Sequence, residues 1–299
     1  PEGSVSAANK LIFEDKVNFC IGGMNFENAA AGPLFEENKI IRIQWYTEGG
    51  PEEVNDNTPY TFVGVNSSPA QYTISLPTWK ELFPETKTAA LLWPDQKGAI
   101  EWVIPDVVVP LAEQNGYEVV NKDDPVLYAT DMSDFTPIAQ RLMRLNADLI
   151  ITGGQPTQHA AILNLMREAG DDVGMIASPP PGPYLEALGE NATKILCVEW
   201  PRRTDDAPPL YTEMLDRFEA RNGPITAGTM IGMSCSTNLG CLLAMIEKAD
   251  SLDPDKIVET WMSTDSIADT IQGEVLVCGD KTWGQHRALS GAYGYDLLM

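Results

Sequence analysis

The sequence predicts an α/β protein made of two Rossmann-like lobes with parallel sheets, joined by hinge crossings. Three observations carry that expectation. First, an apolar strand twice runs into a small-residue turn and then an amphipathic helix. One case is Ala147-Asp148-Leu149-Ile150-Ile151-Thr152-Gly153-Gly154 followed by a helix over 157–169; the other is Val17-Asn18-Phe19-Cys20-Ile21-Gly22-Gly23 followed by a helix over 28–37 and a strand over 40–44. Parallel neighbours need crossover helices, so this grammar implies a parallel sheet, with ligands outside the carboxyl ends of its strands. Second, 299 residues are enough for two cores. Third, Pro84-Glu85-Thr86 and the proline-rich stretch 201–209 break the chain into α/β, α/β and helical portions, as expected of a chain that crosses between lobes. The boundaries that follow put 1–84 with 205–262 in one lobe and 85–204 with 263–299 in the other.

The elements follow in order. Residues 6–14 end a helix that leads into the strand at 17–21. The stretch 47–59, with Gly49-Gly50-Pro51, is turn-rich, 60–65 alternates as a strand, and 75–83 is a short helix. An apolar strand at 88–93 precedes a crossover helix over 99–115, which Pro105 and Pro110 must kink or shorten and Gly116 ends. A strand at 117–120 comes next. The helix over 131–145 stripes Phe135, Ile138, Leu142 and Leu145 on one face, with Pro137 tolerable only in its first turn. In the helix over 157–169, Ile162, Leu165, Met166 and Ala169 face inward. Strands at 173–177 and 195–200 follow. Three helices then succeed one another: one striped by Tyr211, Met214, Leu215 and Phe218, one over 227–249, and one capped by Asp253 with Pro254 at its first position. The tail, 267–299, reads as short strands and loops.

Composition narrows the function. Forty-three acidic against twenty basic residues give a net charge of −23, which disfavours nucleic acid and anionic membranes as partners. No run reaches the roughly eighteen apolar residues of a membrane span. The five cysteines form no CxxC, and with two histidines neither a metal cluster nor a catalytic triad is expected. No cofactor is expected. No signal peptide precedes the first helix, and the opening Pro1-Glu2-Gly3-Ser4 reads as a processed or truncated start.

Several segments, in order, resemble the type I periplasmic binding proteins of ABC transporters, in the branched-chain amino-acid (leucine/isoleucine/valine) group. They are Ala7-Ala8-Asn9-Lys10-Leu11-Ile12 with Lys16-Val17 and Ile21-Gly22-Gly23, Thr130-Asp131-Met132-Ser133-Asp134-Phe135, Asn146-Ala147-Asp148-Leu149-Ile150 with Gly153-Gly154, and Ala244-Met245-Ile246-Glu247-Lys248-Ala249. The resemblance covers nearly the whole chain, but the strand, helix and strand that open the family's fold are missing from it. It implies a periplasmic or extracellular receptor whose two lobes close over a small molecule and deliver it to a transporter permease, with a monomer expected. It also places candidate binding residues on four loops at strand carboxyl ends. Asn25 and Phe26 precede a helix whose N–H groups favour an anion, or serve as a plain cap. On the loop Trp45-Tyr46-Thr47, the Trp and Tyr offer flat faces to a planar ligand, or pack a core. Lys97 meets a carboxylate, or is a solvated surface lysine. Gln155 can donate and accept at a helix start. His159, in the next turn, reads as a surface or supporting residue.

One departure bears on the ligand. The family commonly holds an α-ammonium with a carboxylate just after the strand at 173–177, but here Ser178-Pro179-Pro180-Pro181 carries no acid. An ammonium buried without a counter-charge is costly. The expected solute is therefore a small carboxylate or amide, aromatic ones included, rather than an ordinary α-amino acid; Ser178, on this further loop, is also a candidate contact. Two other functions fit the same fold: an effector-sensing domain of a regulator or receptor, and an enzyme. No G-x-G-x-x-G after a strand, G-x-S-x-G or H-E-x-x-H supports the enzyme.

Overall fold

The computed structural model describes residues 2–23, 25–47, 54–177, 182–199, 207–224, 227–278, 288–290 and 294–298. They form an α/β protein that divides into two compact units, 1–70 with 201–292 and 71–200 with 293–299.

In the first unit, α1 (Glu2–Asn9), extended by a wide turn to Glu14, leads into β1 (Phe19–Ile21); α2 (Asn25–Glu37) then crosses over to β2 (Ile41–Thr47). β2 lies parallel to both β1 and β3 (Thr61–Ser67). Three helices follow in the chain, α8 (Pro209–Asn222), α9 (Ala227–Ala249) and α10 (Pro254–Met262), after the second unit's α3 to α7. Asp253 caps α10 by accepting from the backbone N–H groups of Asp255 and Lys256, as its place before Pro254 predicts. β10 (Ser266–Thr270) and β11 (Gly273–Cys278) pair antiparallel, and β12 (Ala288–Ser290) joins β11 to β3, completing the order β1-β2-β3-β12-β11-β10. The core packs Phe62 against Trp261 with ring centroids 4.3 Å apart.

The second unit holds α3 (Ser68–Leu82, from residue 71 onward), β4 (Thr88–Pro94), β5 (Glu118–Val119), β6 (Val126–Tyr128), α5 (Thr136–Leu145), β7 (Leu149–Thr152), α6 (Pro156–Glu168), β8 (Gly174–Ala177), α7 (Gly182–Leu188), β9 (Ile195–Glu199) and β13 (Gly294–Leu298). The sheet order is β13-β9-β8-β7-β4-β5, with β6 also on β4. All pairs are parallel except β13 with β9. Strand parity explains the apolar runs. Ala90, Leu92, Ile150, Met175 and Ile195 pack with α5, α6 and α7 on one face. Ala89, Leu91, Leu149, Ile151 and Ile176 pack with α3 and the helix after β4 on the other. A sheet covered on both sides needs both parities apolar. Trp79 lies so close to β8 that a Cβ on Gly174 would sit 2.2 Å from its ring, which is why that position is glycine.

The sequence-predicted boundaries differ from this division. The first falls at 70/71 rather than 84/85, because Tyr72, Leu76 and Trp79 of α3 join the second unit's core. Residues 263–292 belong with the first unit, since β10–β12 extend its sheet. The crossing near 201–209 falls at 200/201. Locally, α2 starts at Asn25 rather than 28, β2 runs on to Thr47, and α5 starts at Thr136, with Pro137 in its first turn. The kinked helix after β4 is a wide-turned stretch (Ala99–Val108) running into α4 (Val109–Gln114). Pro105 has no N–H to give, and the Val109 N–H reaches back five residues to the Ile104 carbonyl. The short elements β6 and α7 carry no periodicity that predicts them.

Candidate functional site

In the first unit the candidate residues follow the carboxyl end of β1 or lie at that of β2. Asn25 and Phe26 fall in the first turn of α2, and Tyr46 and Thr47 are the last residues of β2 rather than a loop. Trp45 is half-buried. A bulge sits at this point. Gln44 pairs Val63 and Tyr46 pairs Asn66, so Gly64 and Val65 oppose the single residue Trp45. Bulges in parallel pairs are uncommon and redirect the strand beyond them. Asn238 of α9, fully buried, holds this one: its Oδ1 accepts from the Val65 N–H at 3.1 Å. A Cβ on Gly64 would lie 2.2 Å from the Gln44 carbonyl oxygen and 2.4 Å from Asn238 Nδ2, so only glycine fits. The Gln44 side-chain amide, just before the bulge, is fully buried with neither atom hydrogen-bonded.

In the second unit, Gln155 lies on the loop after β7, whereas Lys97 falls in the first helical turn after β4 rather than on the loop itself. Lys97 is two-thirds exposed and 3.5 Å from Glu101, one helical turn on. Gln155 is exposed and occupies the N-cap of α6 in extended conformation, with no side-chain cap bond. Ser178 lies outside the described residues.

Beneath the Gly153-Gly154-Gln155 loop is a buried polar cluster that residue-type reasoning undervalued. His159 is not a surface residue: it has no exposure at all. Its Nε2 is 3.0 Å from the Tyr128 hydroxyl, 2.9 Å from Thr152 Oγ1 and 3.1 Å from the Gly153 carbonyl, while Nδ1 is 3.1 Å from the Tyr184 hydroxyl. Both ring nitrogens thus have partners in either neutral tautomer. Desolvation pushes the imidazole pKa down to about 3, against the weaker opposing pull of the Gly153 carbonyl. Burial raises the Tyr128 and Tyr184 phenols well above their ordinary value. Tyr72 donates to the Thr152 carbonyl at 3.0 Å. The signal that could have found His159 is its spacing: it precedes the inward-facing Ile162, Leu163 and Met166 by three, four and seven residues, on the apolar stripe of α6.

This geometry is that of an α/β protein with loops at the carboxyl ends of parallel strands. The periplasmic binding protein family model matches residues 1–293, and the chain belongs to that family. Among solved structures it is similar to the leucine-binding protein LivK of Thermotoga maritima, at 18% identity and a TM-score of 0.77, over 99% of this chain and 81% of the other. It is also similar to an ABC-transporter solute-binding protein of R. palustris in complex with 4-hydroxybenzoate, at 20% identity and a TM-score of 0.75, over 100% of this chain and 79% of that one. A solute-binding protein of an ABC transporter from Rhodopseudomonas palustris HaA2, in complex with p-hydroxybenzoic acid, matches at 21% identity with a TM-score of 0.76, again over 100% and 79%. At such identities the likeness carries the fold. Among the described residues no helix is long and apolar enough to cross a membrane.

Proposed function

We propose that this chain is the extracytoplasmic solute receptor of an ABC transporter, binding a small planar carboxylate of the hydroxybenzoate class and passing it to a permease. The observation that carries the receptor reading is the family match over nearly the whole chain. The solute class is supported by two similar structures whose bound molecule is an aromatic carboxylate, and by the acid-free sequence Ser178-Pro179-Pro180-Pro181. Asn25 and Phe26, in the first turn of α2, stand where a helix's free N–H groups favour an anion. Trp45 and Tyr46, at the end of β2, are the proposed aromatic contacts. Lys97, Gln155 and Ser178 are the proposed polar contacts. Recognition is by binding, with no bond made or broken.

A thermal-shift screen of benzoate, 4-hydroxybenzoate, benzamide, leucine and glutamate tests this. A solute at a hundred times its Kd stabilises the folded chain by about 2.7 kcal/mol, which raises the melting temperature by several degrees. The aromatic carboxylates are expected to do so. A shift with leucine or glutamate and none with the carboxylates overturns the solute class.

A further inference from the structure

We propose that Tyr128 is a positioning residue for solute binding: its main chain fixes the loop that leads to Lys97, and its phenol, held by His159, fixes the loop that carries Gln155. The proposal rests on the solute-receptor reading above, because those loops matter only if they bind.

Tyr128 is the last residue of β6, registered against Pro94 at the end of β4. Its carbonyl accepts from the Asp95 N–H at 2.8 Å, where the loop toward Lys97 begins. Its phenol faces the other loop. Gly154 has φ +119°, and a Cβ built on it would lie 2.6 Å from the Tyr128 oxygen, so the hydroxyl occupies the space a side chain would take. The Gln155 carbonyl, next along the loop, accepts from the N–H groups of Gln158 at 3.1 Å and His159 at 3.2 Å. His159, from the first turns of α6, closes the arrangement at 3.0 Å and is itself held from the far side by Tyr184.

Packing alone does not require these hydroxyls. Phenylalanine at 128 would keep the edge-to-face contact with Phe135, whose ring centroid is 6.0 Å away. Every polar atom in the cluster is an added desolvation cost that hydrogen bonds must offset. The cluster lies at the carboxyl end of β7, directly under the loop proposed to touch the solute. A binding loop held within a few tenths of an ångström needs such support from behind.

The experiment compares wild type with Tyr128→Phe in the full chain, reading amide hydrogen exchange residue by residue and 4-hydroxybenzoate affinity by calorimetry. Tyr128→Phe keeps the carbonyl that holds Asp95 and removes the oxygen that packs on Gly154, beside Gln155. Exchange at Gln158, whose N–H donates to the Gln155 carbonyl, is expected to accelerate about tenfold or more while Asp95 stays unchanged, with affinity about tenfold weaker. Unchanged exchange at Gln158 overturns the proposal, and so does faster exchange with unaltered affinity. His159→Gln, which loosens the phenol from the other side, is a second variant expected to speed the same amide; it decides the question if Tyr128→Phe fails to fold. If wild type binds no 4-hydroxybenzoate, the solute assignment falls, and exchange at Gln158 alone upholds or overturns the hold of the Tyr128 phenol on the loop.

Discussion

His159 gives the chain a titration that begins well above the carboxylate range. Its folded pKa is about 3, against an ordinary value of 6.5, chiefly through desolvation. Between those values the unfolded chain binds a proton that the folded chain refuses. Stability therefore rises with pH across this window and is lost as pH falls from about 6.5 toward 3. Each pH unit is worth about 1.4 kcal/mol, so acidifying from about pH 7 to about pH 5 costs roughly 2 kcal/mol. The carboxylates act later. Backbone N–H groups of Lys87 and Thr88 hold the Asp148 pKa below its ordinary 3.8, so its contribution is present above that value and is lost only as pH falls below it. Urea unfolding at several pH values separates the two. Wild type is expected to weaken measurably by pH 5 (about 2 kcal/mol), whereas His159→Gln, with nothing to protonate there, stays nearly flat. Equal slopes would mean that His159 is hydrated and charged in the folded chain.

Asn121 shows how one side chain completes an element. β4 pairs with β5 at Thr88 and Ala89 and with β6 from Leu92 to Pro94, which leaves Leu91 between two short partners. The Asn121 amide fills that gap: Oδ1 accepts from the Leu91 N–H at 2.8 Å, and Nδ2 donates to the Leu91 carbonyl at 3.1 Å. Leu91 is fully buried, so Asn121→Leu would strand a donor and an acceptor out of reach of water. The expected loss is about 3 kcal/mol in urea unfolding, at 1–3 kcal/mol per stranded group. A loss below about 1 kcal/mol would mean that water replaces the amide. The same elements show what sequence makes legible. β7 and α6 are readable because an apolar run meets Gly153-Gly154 and a regular stripe follows, signals local to some twenty residues. β6 is not, since three residues have no period, and neither is the destination of the tail strands: alternation marks a strand but not its neighbour. The loops at the strand carboxyl ends could be placed by order alone. Their supports could not, because Tyr128 and His159 are 31 residues apart and Val65 and Asn238 are 173 apart.

At the scale of the whole molecule, charge is the dominant long-range term. The chain has 43 acidic and 20 basic side chains, so most carboxylates have no cation to pair with. The ion pairs that do form, such as Lys39–Asp255 at 2.7 Å and Lys122–Glu113 at 2.9 Å, are half exposed. Exposed pairs of this kind contribute about 0–1 kcal/mol each and are screened by salt. The repulsion of a net −23 acts over longer distances and is screened by the same salt. Because the excess of like charges outnumbers the pairs, screening should relieve more repulsion than it costs in attraction. The Debye length falls from about 30 Å at 0.01 M to about 3 Å at 1 M salt. The melting temperature is therefore expected to climb by several degrees from low salt to about 0.5 M sodium chloride, with most of the gain below about 0.1 M, where the screening length changes fastest. Potassium chloride should reproduce the curve, since screening depends on ionic strength and not on the cation. A falling melting temperature would show that local pairs, not net charge, govern the electrostatic stability of this fold.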